Sequence, residues 1–200
     1  MNSPETRPSL LLRVRNREDR EAWAEFSEIY RPVIQRLARL KGMQDADSED
    51  LAQQVLLTVA SAIERFEPDD SRARFRTWIK TIARNAILNA LTRGAPDQAT
   101  GAADMQAFLE QRPDPGSTES AQFQHEYRRE VFLWASRQIR PEFSEETWQS
   151  FWLTAVEGLD VDAAAEQLER TRGSVYASRS RVMRRLKQKV EEFTDGDDDL

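Results

Sequence analysis

The sequence predicts an all-α protein made of two helical domains. Three observations carry that reading. Apolar residues recur at spacings of three, four and seven along most of the chain, with no convincing strand-like alternation. Gly and Pro are few and cluster outside the periodic stretches. One stretch changes character: residues 94–122 hold Pro96, Gly101, Pro113, Pro115 and Gly116 among Ser, Thr, Gln and Asp, and read as a flexible linker.

Taken in order, residues 1–19 form an N-terminal extension. The first domain spans 20–93. Its first helix covers Arg20 to Lys41, with Trp23, Phe26, Ile29, Tyr30, Val33 and Leu37 on one face. Pro32 predicts a kink or a break there, and Gly42 a stop. The next helix opens at Asp47, which is expected to cap it, and carries Leu51, Val55, Val59 and Ile63 at intervals of four. A polar loop, 67–74, precedes a third helix from Phe75 to Thr92, with Trp78, Ile79, Ile82, Ala86 and Leu91 as its apolar side. Within the linker, 103–111 reads as a short helix.

The second domain spans 123–193. Phe123, Tyr127, Val131 and Trp134 form its first stripe, which Pro141 interrupts. Ser144 starts a helix whose apolar face is Trp148, Phe151, Trp152, Ala155, Val156 and Leu159, and Gly158 ends it. A short helix from Val161 to Leu168 and a long one from Arg172 to Phe193 complete the domain. Residues 194–200 make an acidic tail.

Charge is sorted along the chain. The formal net charge is −6, yet Arg72 to Arg93 carries six Lys or Arg and no acid, and Arg170 to Val190 carries eight and no acid. Two basic segments in an acidic chain point to two anion-binding surfaces. No Cys is present, which excludes disulfides and thiolate metal sites in this chain. No apolar run approaches a membrane span, and Leu10-Leu11-Leu12 is too short for a signal peptide. The expected location is cytoplasmic.

The strongest local pattern is the C-terminal pair. A short helix packed by Ala164, Ala165 and Leu168, a turn at Glu169 to Thr171, and a long basic helix with Val175, Val182 and Leu186 buried make a helix-turn-helix. Thr171 is placed to cap the long helix and aim its first N–H groups at a phosphate. At about 100° per residue, Tyr176, Ala177, Ser180, Arg181 and Arg184 face away from the buried stripe. There they can reach base edges and phosphates. Arg179 lies nearer the stripe. In the other basic segment, Arg72, Arg74, Arg76, Lys80 and Arg84 surround Phe75 and Trp78, a mixture suited to unstacked bases. Trp78 is the better core residue of the two readings, given its place in the apolar stripe.

Other chemistry finds little support. The run Asp45, Asp47, Glu49, Asp50 fails as a calcium loop, because position six is Asp50 rather than Gly and position twelve is Leu56 rather than Glu. The lone His125 has no ligand set around it. No phosphate-cradling Gly loop, nucleophile elbow or zinc spacing is present. The chain is expected not to be an enzyme, and to need no cofactor or metal.

With these residues in view, a family resemblance emerges. Asp47-Ser-Glu-Asp-Leu-Ala-Gln-Gln-Val-Leu-Leu resembles the "DAEDLVQEVFL" signature of bacterial sigma factors, and Phe75-Arg-Thr-Trp-Ile-Lys-Thr-Ile-Ala-Arg-Asn is similar to their "FRxWLxxIARN" motif. The helix-turn-helix is similar to the last domain of that family. The two-domain layout resembles the extracytoplasmic-function type of the sigma-70 family, over roughly 22–93 and 123–190. The resemblance implies a protein that docks on RNA polymerase core and promoter DNA. It implies core binding to the clamp helices of the largest subunit through Asp50, Gln53 and Gln54. It implies capture of a flipped minus-ten base by 67–74, and minus-ten contacts from Arg72, Arg74, Arg76, Lys80, Arg84 and Asn85. Minus-thirty-five contacts are implied at Arg172, Ser174, Tyr176, Ala177, Ser180, Arg181 and Arg184. An anti-sigma factor is a common partner in this family.

Several positions depart from the pattern. Gln54 stands where an acid is usual, Asn89 where Asp is frequent, Glu169 where the turn often has Gly, Ala164 where Ile is common and Arg179 where an apolar residue is usual. These bear on the promoter sequence more than on the fold. Two other readings stand beside this one. A helix-turn-helix repressor or activator would dimerise through its N-terminal domain, bind a palindrome and act independently of polymerase. A helical adaptor would use both basic faces on acidic proteins.

Overall fold

The computed structural model describes residues 8–66, 73–93 and 118–194. Every regular element among them is helical. The helices are α1 (Pro8–Val14), α2 (Arg20–Leu40), α3 (Asp45–Ala62), α4 (Ala73–Arg93), α5 (Thr118–Ile139), α6 (Glu145–Phe151), α7 (Val161–Gln167) and α8 (Arg172–Thr194). The all-α expectation is borne out. The expected short helix at 103–111, most of the linker and most of the acidic tail lie outside the described residues.

The described chain falls into two compact units, divided within α5 between Glu130 and Val131. In the first unit, α2 packs on α3, α3 on α4 and α1 on α2. Phe26, Ile29, Tyr30, Val33, Leu51, Val55, Val59, Phe75 and Ile79 fill its core. Phe26, Tyr30 and Phe75 meet ring to ring, at centroid distances of 4.5–6.1 Å, spacings at which edge and stacked aromatic pairs attract. The first half of α5 joins this unit: Phe123 and Tyr127 are buried, and the Tyr127 ring lies 5.6 Å from that of Tyr30.

Local details refine the expectations, and two of them, the start of α3 and the place of Leu91, are corrections. Pro32 sits inside α2 without dividing it. The helix α3 begins two residues before Asp47; Gln44 stands at the cap with no side-chain bond, while Asp45 and Asp47 lie in the first turn, where the dipole favours acids. The short helix α1 arises from the Leu10-Leu11-Leu12 run, whose Leu10 is fully buried beside buried Val14. Leu91, expected on the apolar side of α4, is 46% exposed. Asp19 is the true cap of α2: it accepts from the Ala22 N–H at 2.9 Å and from Arg13 at 2.9 Å, and Arg13 with that N–H holds its carboxyl below the usual range.

The second unit joins the end of α5 to α6, α7 and α8. The main contacts run from α6 and α7 to α8. Ser144 caps α6 as expected, accepting from Thr147 N–H. A wider π turn then continues the helix over Trp152–Val156. Glu157 N–H bonds the Trp152 carbonyl five residues back at 3.0 Å. The extra residue in that turn shifts the register of the residues after it. Phe151 and Thr154 are buried, whereas Ala155 and Val156, expected on the apolar face, reach the surface. Gly158 then reverses the chain at φ +73°, a conformation glycine adopts without strain.

Candidate nucleic-acid interface

Two surfaces carry the residues singled out from the sequence. The first is α8 with the turn before it. Val175, Ala164, Ala165 and Val161 form one buried cluster, flanked by Leu153 and Leu159, and this packs the short helix α7 across the start of α8. Thr171 caps α8, accepting from Ser174 N–H at 3.2 Å. The turn carries Glu169 at φ +53°. There Glu169 N–H bonds the Glu166 carbonyl and Arg170 N–H the Ala165 carbonyl. These two bonds are those of a Schellman motif, with a glutamate in the left-handed position that glycine prefers. Gly42 fills the same position at the end of α2, at φ +91°.

The packing turns one side of α8 outward. Tyr176, Ala177, Ser180, Arg181 and Arg184 are all exposed, Tyr176 by 52%. Arg172 is exposed and pairs with Asp162 at 2.6 Å. Ser174 is half-buried and accepts from Arg170. Arg179 is half-buried, in keeping with its place beside the stripe. On the far flank, Arg185 bonds Glu142 at 2.6 and 2.8 Å and Glu192 at 3.1 Å. Its charge is therefore matched within the unit. Arg185 holds the Glu142 carboxyl below the ordinary carboxylate range, and Lys189 chiefly does so for Glu192.

The second surface lies on α3 and α4. Asp50, Gln53 and Gln54 are exposed together on α3, opposite the buried Leu51, Val55 and Val59. Leu57 continues this outward side and is 65% exposed. Sequence reasoning passed over Leu57; its position midway between Val55 and Val59, off the buried stripe, was the available signal. On α4, Arg84 is exposed. Lys80 is half-buried and donates to Ser120 Oγ at 2.5 Å, and the Arg76 guanidinium lies 5.5 Å from the centre of the Tyr127 ring. Asn85 is buried, and its Nδ2 has no hydrogen-bond partner among the described residues. Trp78 packs on Phe66 at 5.0 Å and Phe75 at 5.6 Å, half-buried rather than fully core. Arg72 and the loop at 67–72 lie outside the described residues, as does the side chain of Arg74.

No group of acidic or His side chains fit to hold a metal occurs among the described residues. No described helix is long and apolar enough to cross a membrane.

Comparison with known proteins shows what part of the chain resembles. Residues 26–95, which hold most of α2 and all of α3 and α4, match the model of sigma-70 region 2. The chain is also 33% identical over 85 residues to "ECF RNA polymerase sigma factor RpoE" of Cereibacter sphaeroides. That alignment covers 42% of this chain and 46% of the relative, so the match spans less than half of either protein. Residues 26–95 are thus similar to sigma-70 region 2, and the resemblance of this chain to an extracytoplasmic-function sigma factor is borne out.

Proposed function

We propose that this chain is a sigma factor. It docks on bacterial RNA polymerase core, directs it to promoters by binding minus-thirty-five and minus-ten elements, and aids opening of the DNA. One observation carries the proposal: a sigma-70 region 2 and a capped helix-turn-helix with an acid-free basic segment occur in one chain. The first speaks for polymerase, the second for duplex DNA. Core binding is assigned to Asp50, Gln53 and Gln54 on the outer side of α3, with the largest-subunit clamp helices as the partner. Minus-thirty-five reading is assigned to the outward side of α8, from Arg172 to Arg184. Minus-ten contacts are assigned to the basic segment from Arg72 to Arg84, with base capture by 67–74; Asn85, being buried, is not among them. Flipping a base costs a few kcal/mol, which a fitted pocket can offset. The chain itself makes and breaks no covalent bond in this scheme. It acts in the cytoplasm, where polymerase and promoter are found.

The division of labour is tested by footprinting a promoter fragment with the chain alone, with core alone and with both. Protection of two spaced upstream elements that requires both proteins is expected. A palindromic footprint from the chain alone would instead identify a repressor or activator.

A further inference from the structure

Arg170 lies in the turn between α7 and α8, outside the polymerase and promoter contacts. Its guanidinium lies within hydrogen-bond distance of four acceptors. Nη1 shares its two N–H groups among the Glu146 carbonyl at 3.2 Å, Ser150 Oγ at 3.2 Å and, most distant, Ser178 Oγ at 3.5 Å, and Nη2 donates to Ser174 Oγ at 2.5 Å. Ser150 and Ser178 are fully buried. Ser174 and Ser178 are four apart and share one side of α8. A single side chain therefore ties two successive turns of α8 to α6.

The apolar packing of α7 on α8 is made of small and medium side chains. Where α7 meets α8 the buried residues are Val161, Ala164, Ala165 and Val175. Alanine presents only a methyl group. Such a contact resists separation of the helices better than it resists rotation of one about its axis, because interlocking shape is what fixes a unique arrangement. Hydrogen bonds are directional and weaken steeply with misalignment. A turn of α8 by roughly 20° moves a side-chain tip at a radius of about 5–6 Å by about 2 Å. That is enough to break a hydrogen bond to a base edge.

We propose that Arg170 is a positioning residue for DNA reading: its clasp on Ser150, Ser174 and Ser178 sets the rotation of α8, and so decides which side chains meet the bases. The inference rests on the assignment of α8 as the reading helix. Arg170 spends its donors inside the protein and contributes to sequence discrimination without adding to the general attraction for phosphate.

The test uses the full chain and two duplexes of equal length, one selected by the wild-type chain from a randomised pool and one unselected, over a salt series. Arg170→Leu is expected to lower affinity for the selected duplex about tenfold or more, the scale of one lost base contact. Affinity for the unselected duplex and its salt dependence should stay unchanged. Ser150→Ala with Ser178→Ala keeps every charge and alters only buried hydroxyls; it should give the same selective loss, and it decides the matter if Arg170→Leu does not fold. Arg184→Ala, by contrast, should weaken both duplexes and flatten the salt dependence. Equal weakening of both duplexes by Arg170→Leu, with a flatter salt dependence, would make Arg170 a phosphate contact and overturn the proposal. Unchanged discrimination in both clasp variants would overturn it too. If the wild-type chain enriches no sequence, the assignment of α8 fails and the proposal falls with it.

Discussion

Glu169 shows how a single residue can carry strain inside a working motif. Its φ of +53° places an L side chain in the left-handed region, which costs about 1–2 kcal/mol. Glycine is free of that cost but loses more freedom on folding, about 0.5–1 kcal/mol relative to Ala. Glu169→Gly should therefore stabilise the second unit by up to about 1 kcal/mol, seen as a higher denaturant midpoint. A lower midpoint would mean that the glutamate side chain supplies an interaction worth more than the strain. The sequence signalled this position, because glycine is frequent there in the family; it did not signal Arg170. An arginine in a turn looks like surface charge until its four acceptors, drawn from α6 and α8, are brought together by the fold. Asn85 is similar. As a polar residue after Arg84 it reads as a surface contact, but the register of α4 turns it inward.

At the scale of elements, helix existence was legible and helix detail was not. The apolar spacing of α2, α3 and α8 marks their buried sides because a period near 3.6 has one physical meaning. The π turn after Phe151 has no such signature. Trp152, Val156 and Leu159 keep a helical spacing in sequence, and only the widened turn sends Val156 to the surface. The outward side of α3 is where the polymerase assignment stands or falls. Asp50→Ala with Gln53→Ala should weaken binding to core at least several-fold while leaving thermal unfolding nearly unchanged, since both residues are exposed. Normal core binding by that variant would refute the assignment of this surface. The end of α8 makes a different prediction. Arg185 lowers the pKa of Glu142 below its unfolded value, so this pair adds stability above the ordinary carboxylate range, near 4.3. That contribution is lost as pH falls through the lowered folded value. Glu142→Gln should thus be less stable than wild type at pH 7, and the difference should shrink as pH falls below the ordinary carboxylate range. Since the pair is exposed the effect is small and weakened by salt. A difference that does not shrink with falling pH would point to packing rather than charge.

For the whole molecule, the two basic segments in an acidic chain gave the first clue, and the fold sorts them. In α8 the basic side faces outward, ready for a polyanion. In α4 the same kind of charge is partly engaged within the first unit, with Lys80 on Ser120 and Arg76 over Tyr127. Sequence cannot foresee this, because the partners lie about forty to fifty residues further along the chain, in a helix, α5, that began earlier than its apolar stripe indicated. The central claim is that the two units act together on polymerase and promoter. The most direct test is transcription from a pool of genomic fragments by purified core polymerase, with and without this chain. The account predicts discrete new start sites that share two spaced upstream elements and depend on the chain. Normal core transcription with no new starts, together with failure of the chain to bind core, would contradict it.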